Sequence, residues 1–183
     1  VTGPEAARGI VPVTILTGFL GAGKTTLLNR ILNGDHGLRV AVLVNDFGPI
    51  NIDAELVVGV EEDMISLANG CVCCQVRDDL IEAVDRLLDR PDRIDHVVLE
   101  ASGVAEPASL YATFVDDKYR DRIRLDSVTC VVDADQAFAH IDDYPDLAML
   151  KLRQVASADL VILNKVDLAG ADQVRRVKGW IEG

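Results

Sequence analysis

The chain has 183 residues, about one domain's worth, and 49 % of them are hydrophobic, enough for a packed core rather than wholesale disorder. Lysine and arginine number 18 against 30 aspartates and glutamates, a net charge of −12, which argues against a nucleic-acid binder because that function needs a basic face to neutralise phosphates. The purely apolar runs are far shorter than the ~20 residues of a membrane span, and no basic-then-apolar leader opens the chain. The expectation is therefore a cytoplasmic protein with no nucleic-acid or membrane partner.

Residues 1–10 are small, polar and unpatterned for most of their length and read as a flexible arm ahead of a single domain over 11–183. Val11–Thr17 is a β-branched apolar run and predicts a buried strand. Glycines follow, and then a helix is expected from Lys24, with Leu27, Leu28, Ile31 and Leu32 at helical spacing and Gly34 and Gly37 beyond its end. Leu38–Val44 predicts the next strand, 45–60 a long loop, and Met64–Ala68 a short strand. A helical face runs through Arg77–Leu88 to a stop at Pro91. His96–Leu99, Ser127–Val132 and Leu160–Leu163 predict three more buried strands. Helices are expected around 106–115 and 146–157 and over 171–182. Strand and helix alternating in this way predict a doubly wound α/β domain with a mostly parallel sheet, which carries ligands at the carboxyl ends of its strands.

The motifs fall at such ends. Gly18-Phe19-Leu20-Gly21-Ala22-Gly23-Lys24-Thr25, followed by Thr26, matches G-x-x-x-x-G-K-[ST] between a predicted strand and a predicted helix, the context that pattern requires. The glycines let successive N–H groups turn inward on phosphate oxygens, and the helix start adds its dipole. Lys24 reaches β and γ phosphates and the Thr25 hydroxyl can ligate Mg²⁺. An anion is then held by focused local donors despite the net charge. Asn164-Lys165-Val166-Asp167 follows the last predicted strand. A carboxylate there accepts from guanine N1–H and the 2-amino group, donors that adenine lacks, so the loop selects GTP. Asn164 would orient the loop and Lys165 cover the ring. Glu100 ends the strand at 96–99 and suits Mg²⁺ or the attacking water, with Ser102 and Gly103 next. The alternative is an ordinary strand-end carboxylate. Asp46 and Asp53, in the long loop, can join the Mg²⁺ shell or be solvated loop acids.

Cys71, Cys73 and Cys74 lie within four residues. Neighbours this close make poor disulfide partners but can converge on one soft or borderline cation such as Zn²⁺, Cu(I) or Co²⁺, with Asp46 available to complete a tetrahedron. Redox-active or inert thiols are the alternatives. Cys130, in the middle of an apolar strand, reads as core, and His96, at a strand start, as structural.

The segments GFLGAGKTT, VNDFG, NGCVCC, LEASGVAEP and NKVD occur in the order and spacing of the CobW-type metallochaperone GTPases, which the chain resembles over about 11–168. The resemblance implies a P-loop fold of the SIMIBI class and slow GTP hydrolysis coupled to delivery of Zn²⁺, Co²⁺ or Fe to a client protein or cofactor pathway. By position it implies Cys71, Cys73, Cys74 and Asp46 as transition-metal ligands, Asp46 standing where the family usually has Glu. Lys24, Thr25 and Glu100 would serve the phosphates and Mg²⁺. Family members continue with another strand and a C-terminal domain, so the expectation is a nucleotide-binding domain cut from a longer protein. A passive metal-storage module with a vestigial GTP site is the competing reading, and an ATP-driven partitioning ATPase a third. The intact Lys24, Thr25, Glu100 and Asp167 count against storage. The N-K-x-D loop, together with Phe19 where those ATPases often carry an extra Lys, counts against the ATPase.

Overall fold

The computed structural model describes residues 10–45, 64–66, 94–105, 121–141 and 143–183, with the single positions 86, 89, 111 and 114. Six strands form one sheet: β1 (Val11–Thr17), β2 (Val40–Asn45), β3 (Met64–Ser66), β4 (His96–Ala101), β5 (Ile123–Asp133) and β6 (Leu160–Asn164). Their order is β3-β2-β4-β1-β5-β6, and every pairing is parallel. Helix α1 (Lys24–Leu32) follows β1, α2 (Pro145–Ala156) precedes β6 and α3 (Ala171–Glu182) follows it. The helices expected over 77–88 and 106–115 lie outside the described residues except at Arg86, Tyr111 and Phe114, which are helical.

The runs of β1, β2 and β4 become strands with both faces covered, as parallel sheets require, whereas β6, expected to be buried, ends the sheet order and leaves Leu160 and Ile162 exposed. On one face Val13, Ile15, Leu43, Val97 and Leu99 form a core. On the other, Leu16, Val42, Val98 and Val131 pack with Leu28 of α1. A third cluster joins Cys130 and Val132 of β5 to Val155 of α2 and Val177 of α3. Among the described residues no helix is long and apolar enough to cross a membrane.

Two boundaries differ from expectation. Strand β2 starts at Val40 rather than Leu38, whose side chain is exposed. Strand β5 begins at Ile123, four residues before the apolar run. Its first stretch, Ile-Arg-Leu-Asp, alternates because only one face is covered, and Arg124 pairs with Asp126 at 3.0 Å. The ladder with β1 runs Val11↔Ile123 to Thr17↔Cys130, with a register shift beside Val13/Thr14 that steps over Asp126.

His96 opens β4, and its Nε2 lies 2.9 Å from Thr14 Oγ1, itself 3.3 Å from Ser127 Oγ. The histidine is structural, a cross-strand tie over β4, β1 and β5. Burial lowers its pKa from the ordinary 6.5; Asp126 opposes that shift and Arg124 adds to it. A lowered folded-state value means the unfolded chain binds more protons, so this contribution is complete above ~6.5 and is lost as pH falls through the folded value. Urea midpoints measured from pH 7.5 down to 5 should therefore fall, and His96→Gln should make that slope shallower. An equal slope in the variant would contradict the assignment.

Candidate nucleotide site

The carboxyl ends of β1, β4, β5 and β6 bring their following loops to one edge of the sheet, the crevice where open α/β sheets bind ligands. The loop after β1 is the glycine-rich segment. Gly18, Gly21 and Gly23 have φ of +135°, +71° and +101°. At Gly18 the constraint is also steric, since a Cβ would sit 2.2 Å from the Val131 carbonyl oxygen of β5. Gly23, the residue before α1, offers no side-chain cap, and no acidic residue occupies the first helical turn. The amide donors and dipole at that helix start therefore face the loop uncompensated by the helix's own side chains.

Lys24 is buried and folds back along the loop, donating to Gly18 O at 2.9 Å and Phe19 O at 3.3 Å. Thr25 Oγ1 donates to Glu100 Oε1 at 3.0 Å. The parallel register sets Leu16 of β1 opposite Glu100 of β4, which places the carboxylate, 2 % exposed, beside the first turn of α1. Thr26 is exposed on α1 and Leu20 projects from the loop.

The loop after β6 closes on the same place. Asn164 Nδ2 donates to Ala22 O at 2.8 Å, and a Cβ on Gly23 would meet that nitrogen at 2.3 Å. Lys165 adopts a left-handed φ of +55° and its Nζ meets Asp133 Oδ2 at 2.8 Å. The other Asp133 oxygen accepts from the amides of Asp135 and Gln136. Leu168 and Ala169 amides return to Lys165 O, and Asp167 stands exposed on this turn. The phosphate loop, Glu100 and the N-K-x-D loop are thus brought together as expected. Cys71, Cys73, Cys74, Asp46 and Asp53 lie outside the described residues. Among the described residues no cluster of His, Cys, Asp or Glu forms a metal site. Cys130 is core, its thiol pushed up to about 12 chiefly by burial, with Lys24 opposing.

Three participants escaped the sequence reading. Asp133, at the end of β5, ties the N-K-x-D loop in place. Lys151 and Gln154, on the inner side of α2, are buried. Lys151 Nζ donates to the carbonyls of Gln136, Ala137 and Ala139 and lies 4.9 Å from the Phe19 ring centroid. Burial pushes its ammonium pKa down, and Asp133 opposes that shift. The available signal was a polar pair at positions 151 and 154, three apart on the face that helical periodicity assigns to the core. Phe19, Leu20, Asp133, Lys151, Gln154 and Trp180 line an open crevice of about 370 Å³ beside the phosphate loop.

Sheet order, glycine loop and helix start are those of a P-loop nucleotide-binding domain of the SIMIBI class. The chain belongs to the family described as CobW/HypB/UreG, nucleotide-binding domain, which matches residues 12–183. It is 35 % identical over 202 residues to a zinc chaperone CobW of a Sinorhizobium species, covering 97 % of this chain and 57 % of that protein. It is 40 % identical over 178 residues to the zinc-regulated GTPase metalloprotein activator 1 of Schizosaccharomyces pombe, covering 93 % and 43 %. The crystal structure of the Zn(II)-bound YjiA GTPase from E. coli superposes with a TM-score of 0.63 at 29 % identity, covering 94 % of this chain and 54 % of that one. The chain spans about half the length of the relatives it matches.

Gly18→Ala tests the loop's packing. The unfavourable φ alone costs about 1–3 kcal/mol, and the approach to Val131 adds to it. Denaturant unfolding should show at least that loss. Gly179→Ala, exposed inside α3 with open space around it, should instead stabilise by ~0.5–1 kcal/mol.

Proposed function

We propose that this chain binds GTP, hydrolyses it slowly, and uses its nucleotide state to control a thiolate site that carries Zn²⁺ or a similar ion such as Co²⁺ to a client metalloprotein or cofactor-biosynthesis enzyme. The observation that carries the nucleotide half is the Asn164–Ala22 hydrogen bond. It joins the N-K-x-D loop to the phosphate loop, so one ligand can reach both.

In this reading the loop amides of 18–24 hold the phosphates, and Lys24 leaves its two carbonyls to meet the β and γ oxygens. The hydroxyl of Thr25 and the buried carboxylate of Glu100 are a hard-oxygen pair, the donor chemistry that Mg²⁺ prefers. Thr25 and Glu100 would hold the ion, which would supply positive charge to offset the negative charge of the phosphates. Glu100 also orients the attacking water. Asp167 accepts from the guanine edge, the Lys165 stem covers the ring, and Asn164 orients the loop. The metal half rests on the chemistry of Cys71, Cys73 and Cys74 with Asp46, and on the zinc in the names of the relatives. The metal ion is cargo: thiolates bind it with loss of protons and release it when the loops around them shift.

Asp167→Asn should weaken GTP binding by a few kcal/mol and improve binding of xanthosine triphosphate, whose 2-oxo group wants a donor. Calorimetry that finds equal ATP and GTP affinity in the unaltered chain would overturn guanine selection. Turnover should be on the order of 10⁻⁴–10⁻² s⁻¹, as for unassisted GTPases, and Glu100→Ala should lower it more than it lowers GTP binding.

Replacing Cys71, Cys73 and Cys74 together by Ser should abolish tight zinc binding and leave GTP binding intact. Zinc affinity should differ ~5–150-fold between GTP-analogue and GDP states, and zinc must shift the two nucleotide affinities by the same factor. Chelator competition in the full-length protein reads this directly. Identical zinc affinities in the two states would leave a GTPase without metal control.

A further inference from the structure

Helix α2 turns three residues inward, Lys151, Gln154 and Val155, and two of them are polar. Gln154 is 1 % exposed. Its Nε2 donates to Gly103 O at 3.1 Å and to Ala105 O at 3.2 Å. Two facing carbonyls require the NH₂ end of the amide, and both of its protons are used. A buried amide is costly wherever its partners are lost, so an apolar residue would serve packing alone at least as well. The two carbonyls belong to the irregular segment 102–105, which leaves β4 just beyond Glu100. Within it the Ala105 amide donates to Ser102 O at 2.9 Å. The segment also approaches the phosphate loop, where a Cβ on Gly103 would lie 2.7 Å from the Leu20 nitrogen.

We infer that Gln154 is a positioning residue that clamps segment 102–105 against the phosphate loop, where the terminal phosphate of a nucleoside triphosphate is sensed. The inference rests on the proposed GTP site. Strand β4 lies beside β1, and Glu100 at its end meets Thr25, the pair that the proposed function assigns to the terminal phosphates and their Mg²⁺. In the proposed site the segment that follows Glu100 would therefore lie nearest the γ phosphate, which a diphosphate lacks. A segment already held in place imposes no ordering cost when the triphosphate arrives. A loose one lowers triphosphate affinity by the fraction of time it is misplaced. Lys151 braces the neighbouring wall in the same way, holding three carbonyls of 136–139 beneath the Phe19 ring. Helix α2 thus fixes two loops of the nucleotide edge.

The test is Gln154→Met, which keeps side-chain volume and removes both donors. With two hydrogen bonds lost, affinity for a non-hydrolysable GTP analogue should fall about 5-fold or more, whereas GDP affinity should change less than about 2-fold. Single-turnover GTP hydrolysis should slow as well. In the nucleotide-free chain, hydrogen exchange at the Ala105 amide should quicken about tenfold, while the Val97–Leu99 amides keep their protection. Where the methionine variant does not fold, Gln154→Asn, whose amide is too short to span both carbonyls, is read in the same way. Equal losses for GTP analogue and GDP, or unchanged exchange at Ala105, would overturn the clamp. A wild-type chain that binds neither nucleotide would overturn the GTP reading instead, and the exchange experiment would then decide Gln154 by itself.

Discussion

Strand β1 lies between β4 and β5, parallel to both, and the nucleotide edge depends on that placement. The register with β4 puts Glu100 beside the start of α1, within reach of the Thr25 hydroxyl. The register with β5 brings Val131 so close to Gly18 that no side chain fits between them. The phosphate loop is consequently shaped by its neighbours on both sides as well as by its own glycines. A shift of one residue in either ladder would turn Glu100 to the other face of the sheet or open the contact at Gly18, because side chains alternate along a strand.

The buried polar residues follow one logic. Lys24, Glu100, Lys151 and Gln154 are all less than 9 % exposed. Each would be costly alone, yet Lys24, Lys151 and Gln154 donate to carbonyls of irregular segments at the carboxyl edge, and Glu100 accepts from the Thr25 hydroxyl in the first turn of α1. Loops that must approach a ligand cannot join the sheet ladder, so their carbonyls need partners from elsewhere. Here helix α2 and the lysine of the phosphate loop supply those donors. The same economy answers the net charge of −12, since a phosphate is met by local amides and one lysine rather than by a basic surface.

Much of this was legible in the residues. Strands announce themselves as β-branched apolar runs, and the sequence places β1 and β6 within a residue of their observed bounds, although β6 is an exposed edge rather than a buried strand. The motifs were legible because their chemistry is local: G-x-x-x-x-G-K-T makes a phosphate cradle from consecutive amides, whatever surrounds it. The apolar pattern of β5 begins only at Ser127 because Arg124 and Asp126 interrupt it, and only its pairing with β1 makes the earlier stretch a strand.

By itself, then, the amino-acid sequence determined the parallel α/β class, the phosphate loop, the N-K-x-D loop and the strand-end carboxylate, because hydrophobic period and short-range backbone geometry decide these locally. Only the tertiary structure decided that Asn164 braces Ala22 across 142 positions of chain, that Asp133 anchors Lys165, and that Gln154 holds the segment after Glu100. Those contacts join residues far apart in sequence. Nothing in the spacing of an asparagine, an aspartate or a glutamine reveals which distant carbonyl or ammonium the sheet order will set against it.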